Sequence, residues 1–187
     1  VIKLVYKTDK FSNKMIAIKP HKSADIPHRV KWLNNPIVNK YIGDQLGRKT
    51  TLKKQEEWFS NYLKDRNKKF FTIYYNKNPI GFMGLSNISK VNKNADLFIA
   101  IGDNEYRGSG IGKEAINWLL DYGFSKLKLH KINLGVIEDN IPAIKLYKNV
   151  GFVIEGKNID EVFHKGKFYH FLSMAIFKKD YKNLLNP

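Results

Sequence analysis

Residues 107–112, RGSGIG, put Gly108, Gly110 and Gly112 at alternate positions directly before a run with helical spacing. Glycine loses more backbone freedom on folding than any other residue, so a cluster at a helix start needs a reason. One reason is close approach of the backbone to a phosphate, with the helix N-terminus aiming its free N–H groups at the charge. The other is a flexible surface loop. The flanking residues narrow the fold. Upstream, ADLFIAIG reads as a strand; downstream, Ile111, Ala115, Ile116, Leu119, Leu120, Gly123 and Leu127 recur as the buried positions of one helix. A strand that feeds a helix through a glycine turn restricts the chain to folds that pair helices with a sheet.

The other segments extend that pattern. KMIAIK, residues 14–19, alternates as a strand, and residues 25–33 read as a helix capped by Ser23 or Asp25 with Pro27 in its first turn. The Asn-Asn-Pro at 34–36 breaks it. Thr51 caps a second helix, with Leu52, Trp58, Phe59, Tyr62 and Leu63 as most of its apolar side. Two strands meet at a turn over 76–79, and KINLGVI is a further strand. Asn140 caps a helix with Pro142 in its first turn and Gly151 at its C-terminus; FVIEG and KFYHFLSMAIF are the last strands. A chain of 187 residues arranged this way predicts one α/β (α+β) domain on a mixed sheet, with residues 1–14 as an N-terminal extension or extra strand.

Several chemistries fail on spacing. The third glycine is one residue too early for a dinucleotide fingerprint, and Gly112-Lys113 is followed by Glu114 rather than the Ser or Thr of a P-loop. There is no nucleophile elbow and no cysteine, so thiol nucleophiles and cysteine metal sites are excluded. His21, His28, His130, His164 and His170 show no metal-ligand spacing, and no metal is expected. The opening residues lack the apolar core of a leader and no run is long enough to span a bilayer; the expectation is a cytoplasmic protein with no membrane partner. The net charge of +16 raises a nucleic-acid reading. Against it, the 33 basic residues are scattered, and only Arg29, Arg48, Arg66 and Arg107 are arginines, the residue suited to bidentate recognition. What survives is a surface that attracts small anions.

Two blocks in order resemble the GNAT family of N-acetyltransferases. YRGSGIGKEA is similar to its acetyl-coenzyme A motif, [RQ]-x-x-G-x-[GA], and NIPAIKLYKNVGF to its N-x-x-A-x-x-L-Y-x-x-x-G-F block; the likeness runs from about Met15 to Tyr181. It implies the GNAT fold over residues 15–187, a mixed, mostly antiparallel central sheet flanked by helices. It implies acetyl-coenzyme A as co-substrate and a primary amine as acceptor: an amino-sugar nucleotide, another small amine or a protein N-terminus. Ile99, Ala100 and Ile101 are then expected to pair with the pantetheine arm. Arg107, Gly108, Ser109, Gly110, Ile111 and Gly112 are expected at the pyrophosphate. Asn140 either bonds the co-substrate or only caps its helix. Tyr147 matches the family's general acid, the alternative being a packing residue. The opening and closing segments resemble the branch that holds ribosomal-protein N-terminal, diamine and some sugar-nucleotide N-acetyltransferases, and Asp96 stands where that branch commonly carries Glu; it is a base acting through water or a solvated strand-end charge.

For the acceptor, the resemblance points to the segment holding Trp32, Asn34, Tyr41 and Trp58 together with residues 164–170. The acids there, Asp44, Glu56 and Glu57, sit among Lys40, Lys49, Lys53 and Lys54. The basic surface therefore predicts spermidine to be a poor acceptor and an anionic amine, or a protein N-terminus, a better one. A homodimer is an assembly this reading allows. Nucleic acid is not expected as a partner, and a basic nucleic-acid-binding module without catalysis is the alternative from another class.

Overall fold

Period-2 apolar alternation lays out most of the molecule, and the computed structural model, which describes residues 4–7, 15–42 and 46–185, gathers it into one sheet. The strands are β1 (Leu4–Lys7), β2 (Met15–Pro20), β3 (Lys69–Tyr75), β4 (Asn78–Ser89), β5 (Asn94–Ile101), β6 (Lys131–Ile137), β7 (Val153–His164) and β8 (Lys167–Phe177). Their order is β1-β2-β3-β4-β5-β6-β8-β7, and every neighbouring pair is antiparallel except β5 with β6. Asn76 and Lys77, with φ of 46° and 72°, make the tight turn between β3 and β4.

The parallel pair is the exception that shapes the centre. β5 and β6 are bonded only where Asn94–Asp96 faces Lys131–Asn133, and beyond Asp96 the two strands part. β5 stays paired to β4 on its other side as far as Ile101.

Helices cover both faces. They are α1 (Ile26–Asn34), α2 (Pro36–Asn39), α3 (Leu52–Lys64), α4 (Ile111–Asp121), α5 (Ile141–Val150) and α6 (Lys178–Leu185). Ala95 and Leu97 of β5 and Leu134 and Val136 of β6 turn toward α4 and α5 and join the main core. The intervening residues face the other way, where Trp32 and Leu33 of α1 are buried against Phe82, Phe98 and Ala100. Burial of side chains of this size contributes about 1.5–3 kcal/mol each, which is what holds α1 to the sheet.

Three expectations are corrected. The apolar side of α3 excludes Leu52 and Leu63, which are 46% and 68% exposed; its one fully buried residue is Gln55. Gln55, Trp58, Phe59 and Tyr62 form the inward stripe, and Leu52 and Leu63 lie about 70–90° to one side of its centre. Asp25 stands at the N-cap of α1 but its side chain makes no cap bond to that helix, because Thr72 and Tyr74 claim it. The helix from Ile111 closes at Asp121 and continues as a π-turn over Tyr122–Lys126, with Leu127 N donating to the Tyr122 carbonyl at 3.2 Å. The short α2, the C-terminal α6 and the extension of β7 as far as His164 add to the elements read from the sequence. The segment before residue 15 supplies β1, which pairs with β2.

Candidate active site

The glycine loop leaves β5 and opens α4. Gly108 and Gly110 have φ of +75° and +87°, a region that disfavours any side chain. A Cβ at either would meet nothing within 4 Å, so the protein itself does not crowd these positions. The backbone there faces open space in front of a helix whose first bonded amide is Lys113, to the Gly110 carbonyl at 3.0 Å. The N–H groups of Ile111 and Gly112 are therefore free to bind an anion. Gly112 differs from its neighbours: a Cβ there would lie 3.3 Å from Leu146, so it also serves the contact of α4 with α5. Ser109 donates to the Tyr106 carbonyl at 2.7 Å and Arg107 donates to the Ile101 carbonyl at 3.0 Å, fastening the loop to the end of β5. Burial lowers the pKa of the Arg107 guanidinium.

Ile99, Ala100 and Ile101 occupy the part of β5 that has parted from β6. The side chains of Ile99 and Ile101 pack against the main core, while one backbone edge of this stretch is unpaired by β6. Asn140 caps α5, its Oδ1 accepting from Ala143 N at 3.4 Å, and Gly151 closes that helix with φ 103°. Tyr147, on α5, is 8% exposed and packs edge-on against Phe152. Its hydroxyl makes no hydrogen bond among the described residues, and burial pushes its pKa up to about 12. A phenol in that state stays protonated and is a donor at neutral pH.

Asp96 is the last residue of β5 paired with β6 and alternates with the buried Ala95 and Leu97. It therefore faces the α1 side while Tyr147 belongs to the α4–α5 side. Asn87 donates to one Asp96 oxygen at 2.8 Å and Asn133 to the other at 3.4 Å. Neither asparagine carries a motif; the cross-strand register alone brings them there.

The acceptor candidates divide. Trp32 is fully buried core. Asn34 binds the Thr50 backbone twice, at 2.8 and 3.0 Å. Trp58 lies under the Arg29 guanidinium, 3.8 Å from the ring centroid, and Arg29 Nε donates to Gln55 at 2.8 Å. These three position α1 and α3. Glu56 and Glu57 are exposed on α3, and Asp44 falls outside the described residues. Tyr41 and His164 do come together, in a cavity of about 140 Å³ between the segment after α2 and the tip of the β7–β8 hairpin. Lys40, Leu46, Lys165 and Tyr169 complete its walls and Ile137 its floor. Lys165 and Tyr169 were not separable from the sequence, because the turn that brings them over Tyr41 depends on hairpin register. Among the described residues, no three His, Asp or Glu side chains cluster as metal donors, and no helix is long and apolar enough to cross a membrane.

Known proteins share this arrangement. The acetyltransferase (GNAT) domain profile matches residues 16–153. Spermidine N(1)-acetyltransferase of Vibrio cholerae serotype O1 is 35% identical over 129 residues, covering 68% of this chain and 74% of that protein. The crystal structure of spermidine N-acetyltransferase from Vibrio cholerae in complex with CoA and spermine superposes with a TM-score of 0.84 at 29% identity, over 90% of this chain and 98% of the other. A dodecameric structure of the Vibrio cholerae enzyme, in an intermediate state, superposes with a TM-score of 0.77 at 28% identity, over 91% and 96%. The reading as a non-catalytic nucleic-acid module gains no support from these relatives. The chain belongs to the GNAT acetyltransferase family and is an acetyl-coenzyme A-dependent N-acetyltransferase.

Proposed function

We propose that the chain acetylates a small primary amine that enters from the α1–α2 side, with Asp96 and Tyr147 serving the two proton transfers. The observation that carries this reading is the parting of β5 and β6, with a carboxylate on one face of the sheet and a buried, protonated phenol on the other. Acetyl-coenzyme A supplies the acetyl thioester. Gly108, Gly110 and the free N–H groups of Ile111 and Gly112 hold its pyrophosphate, Arg107 and Ser109 brace that loop, and Asn140 orients the start of α5. The open edge of β5 at Ile99, Ala100 and Ile101 bonds the pantetheine arm. Asp96, through a water, accepts the proton that the ammonium must lose. The amine nitrogen then bonds to the thioester carbon, the carbon–sulfur bond breaks, Tyr147 gives its hydroxyl proton to the departing sulfur, and the second proton shed by the new amide nitrogen restores the phenol. With no cysteine in the chain, transfer is direct from amine-bound enzyme.

A polyamine acceptor is the second reading, favoured by the spermidine acetyltransferases among the relatives. The cytoplasm, where acetyl-coenzyme A is made, is the working compartment in this reading. Copies associate through the β7–β8 hairpin, a homodimer being the smallest such assembly. The test is the initial rate of coenzyme A release with small amines, spermidine and a peptide N-terminus as acceptors. Turnover of a small amine, with rates that depend on both substrates together, is expected. Turnover of the peptide alone would sink the small-molecule reading.

A further inference from the structure

The cavity beside Tyr41 has a charge pattern that the acetyl-transfer chemistry does not need. Lys40 and Lys165 stand in its wall with His164, and Tyr41 and Tyr169 present hydroxyl groups. No Asp or Glu lines it among the described residues. Among the described residues Asp139 is a carboxylate nearby, and Lys167 pairs with it at 3.8 Å. The segment that forms the opposite wall continues into Arg48 and Lys49, both exposed. Lys40 is held above the ordinary lysine range, first by its hydrogen bond to Tyr41 and then by the proximity of Tyr169 and Asp139.

The walls are also fixed in place. Lys165 and Gly166, with φ of 49° and 76°, make a two-residue turn between β7 and β8. His164 at the base of that turn lies against Gly47, where a Cβ would come within 2.5 Å of the ring. Gly47 itself has φ +69°, so both space and backbone call for glycine there. The hairpin tip and the segment after α2 thus close on each other and present cations from both sides.

The cavity is on the acceptor side of the sheet. Its floor, Ile137, ends β6 at the open end of the β5–β6 cleft. Ile137 alternates with Val136 of the main core and shares the face of Asn133, the partner of Asp96. A polyamine placed there would meet lysines at close range, where like charges repel. An amine that carries a negative group would be drawn in and oriented, its nitrogen left toward the cleft.

We propose that this cavity binds an anionic group of the acceptor, a carboxylate or a phosphate, through Lys40 and Lys165, so that the enzyme's substrate is an amine bearing a negative charge rather than a polyamine. The inference rests on the small-amine reading above. Two matched pairs separate its sources: O-phosphoethanolamine against ethanolamine for phosphate, and 4-aminobutyrate against butylamine for carboxylate. Calorimetric titration of the full chain, saturated with coenzyme A, reads binding without turnover. At least one anionic amine should bind tenfold or more tighter than its partner, and the preference should shrink as salt rises. The double change Lys40→Gln and Lys165→Gln should abolish that preference without lowering the melting temperature, and Lys165→Glu should shift it toward spermidine. Equal affinity within both pairs, tighter binding of spermidine than of either anion, or a preference untouched by the double change would overturn the proposal. Acetyl transfer to the same panel separates the two readings: brisk acetylation of spermidine or butylamine with no anion preference ends this proposal and leaves the small-amine reading standing, whereas transfer to none of the small amines ends the latter.

Discussion

In the proposed mechanism, Tyr147 concentrates the chemistry of the site in one hydroxyl. Burial raises its pKa to about 12, so the phenol keeps its proton at any pH at which the enzyme works. Replacing it, Tyr147→Phe, keeps the ring against Phe152 and deletes only the proposed acid. Turnover should fall by about 10²–10⁴-fold with little change in melting temperature. The parent rate should show no loss from phenol ionisation between about pH 7 and pH 10. An unchanged rate in the variant would make Tyr147 a packing residue. Gly110 is the second decisive position. Gly110→Asp places a carboxylate beside the proposed anion site and asks for φ +87° from a residue with a Cβ. Affinity for coenzyme A should drop at least tenfold, about 1.4 kcal/mol, by calorimetric titration. Gly110→Ala carries the same backbone strain without the charge; if it loses as much as the Asp variant, electrostatics are not the cause.

Between elements, the join of α1 to the sheet is polar and pH-sensitive. Asp25 accepts hydrogen bonds from Tyr74 at 2.5 Å and Thr72 at 2.8 Å. Because the Thr72 hydroxyl spends its proton on Asp25, His21 Nδ1 must be the donor in its 2.7 Å bond to Thr72. That leaves His21 Nε2 bare, buried and unpartnered among aromatic rings. Burial first, then Arg29, drives the His21 pKa from 6.5 to about 4, while Asp25 opposes the shift. Below pH 6.5 the unfolded chain takes up a proton that the folded one refuses until about pH 4, so stability falls as pH falls through that window. The loss should approach about 3 kcal/mol in urea titrations, and His21→Gln should flatten it. An equal loss in the variant would point to other groups. This join also marks where the sequence stops being legible. Strands, the glycine loop and the caps at Thr51 and Asn140 were readable because each is set by residues within a few positions of one another. Asp25 read as a cap because its real partners, Thr72 and Tyr74, lie far along the chain. α3 misled for the same reason: its orientation is chosen by Arg29 and Gln55, not by its own leucines. The candidate site followed suit, with the glycine loop legible and the Tyr41–Lys165 cavity dependent on a hairpin register that no local pattern encodes.

At the scale of the molecule, one margin of the sheet is unusually apolar for a surface. β7 is an edge strand, and Ile159, Phe163 and Phe168 stand 65%, 62% and 54% exposed on its hairpin. Exposed edges and apolar patches of this kind are covered in stable proteins. A second copy is the proposed cover, in keeping with the dodecameric relative. Sedimentation velocity should show an oligomer that Ile159→Lys with Phe163→Lys reduces to monomer; a monomeric parent chain would refute the assembly. The parting of β5 from β6 has a different kind of consequence, in time rather than shape. Amides of residues 97–101 that point away from β4 lack a partner strand. In deuterated water they should exchange quickly in the free protein and slow markedly once coenzyme A saturates it; identical exchange in both states would mean the ligand does not lie along that edge. A molecule that fastens this seam binds only the folded chain, and at a hundredfold excess over its dissociation constant it adds about 2.7 kcal/mol to stability. The lifetime of the protein then becomes a gauge of acetyl-coenzyme A supply: scarce thioester leaves a seam that opens more often, and with it a chain more readily taken by proteases.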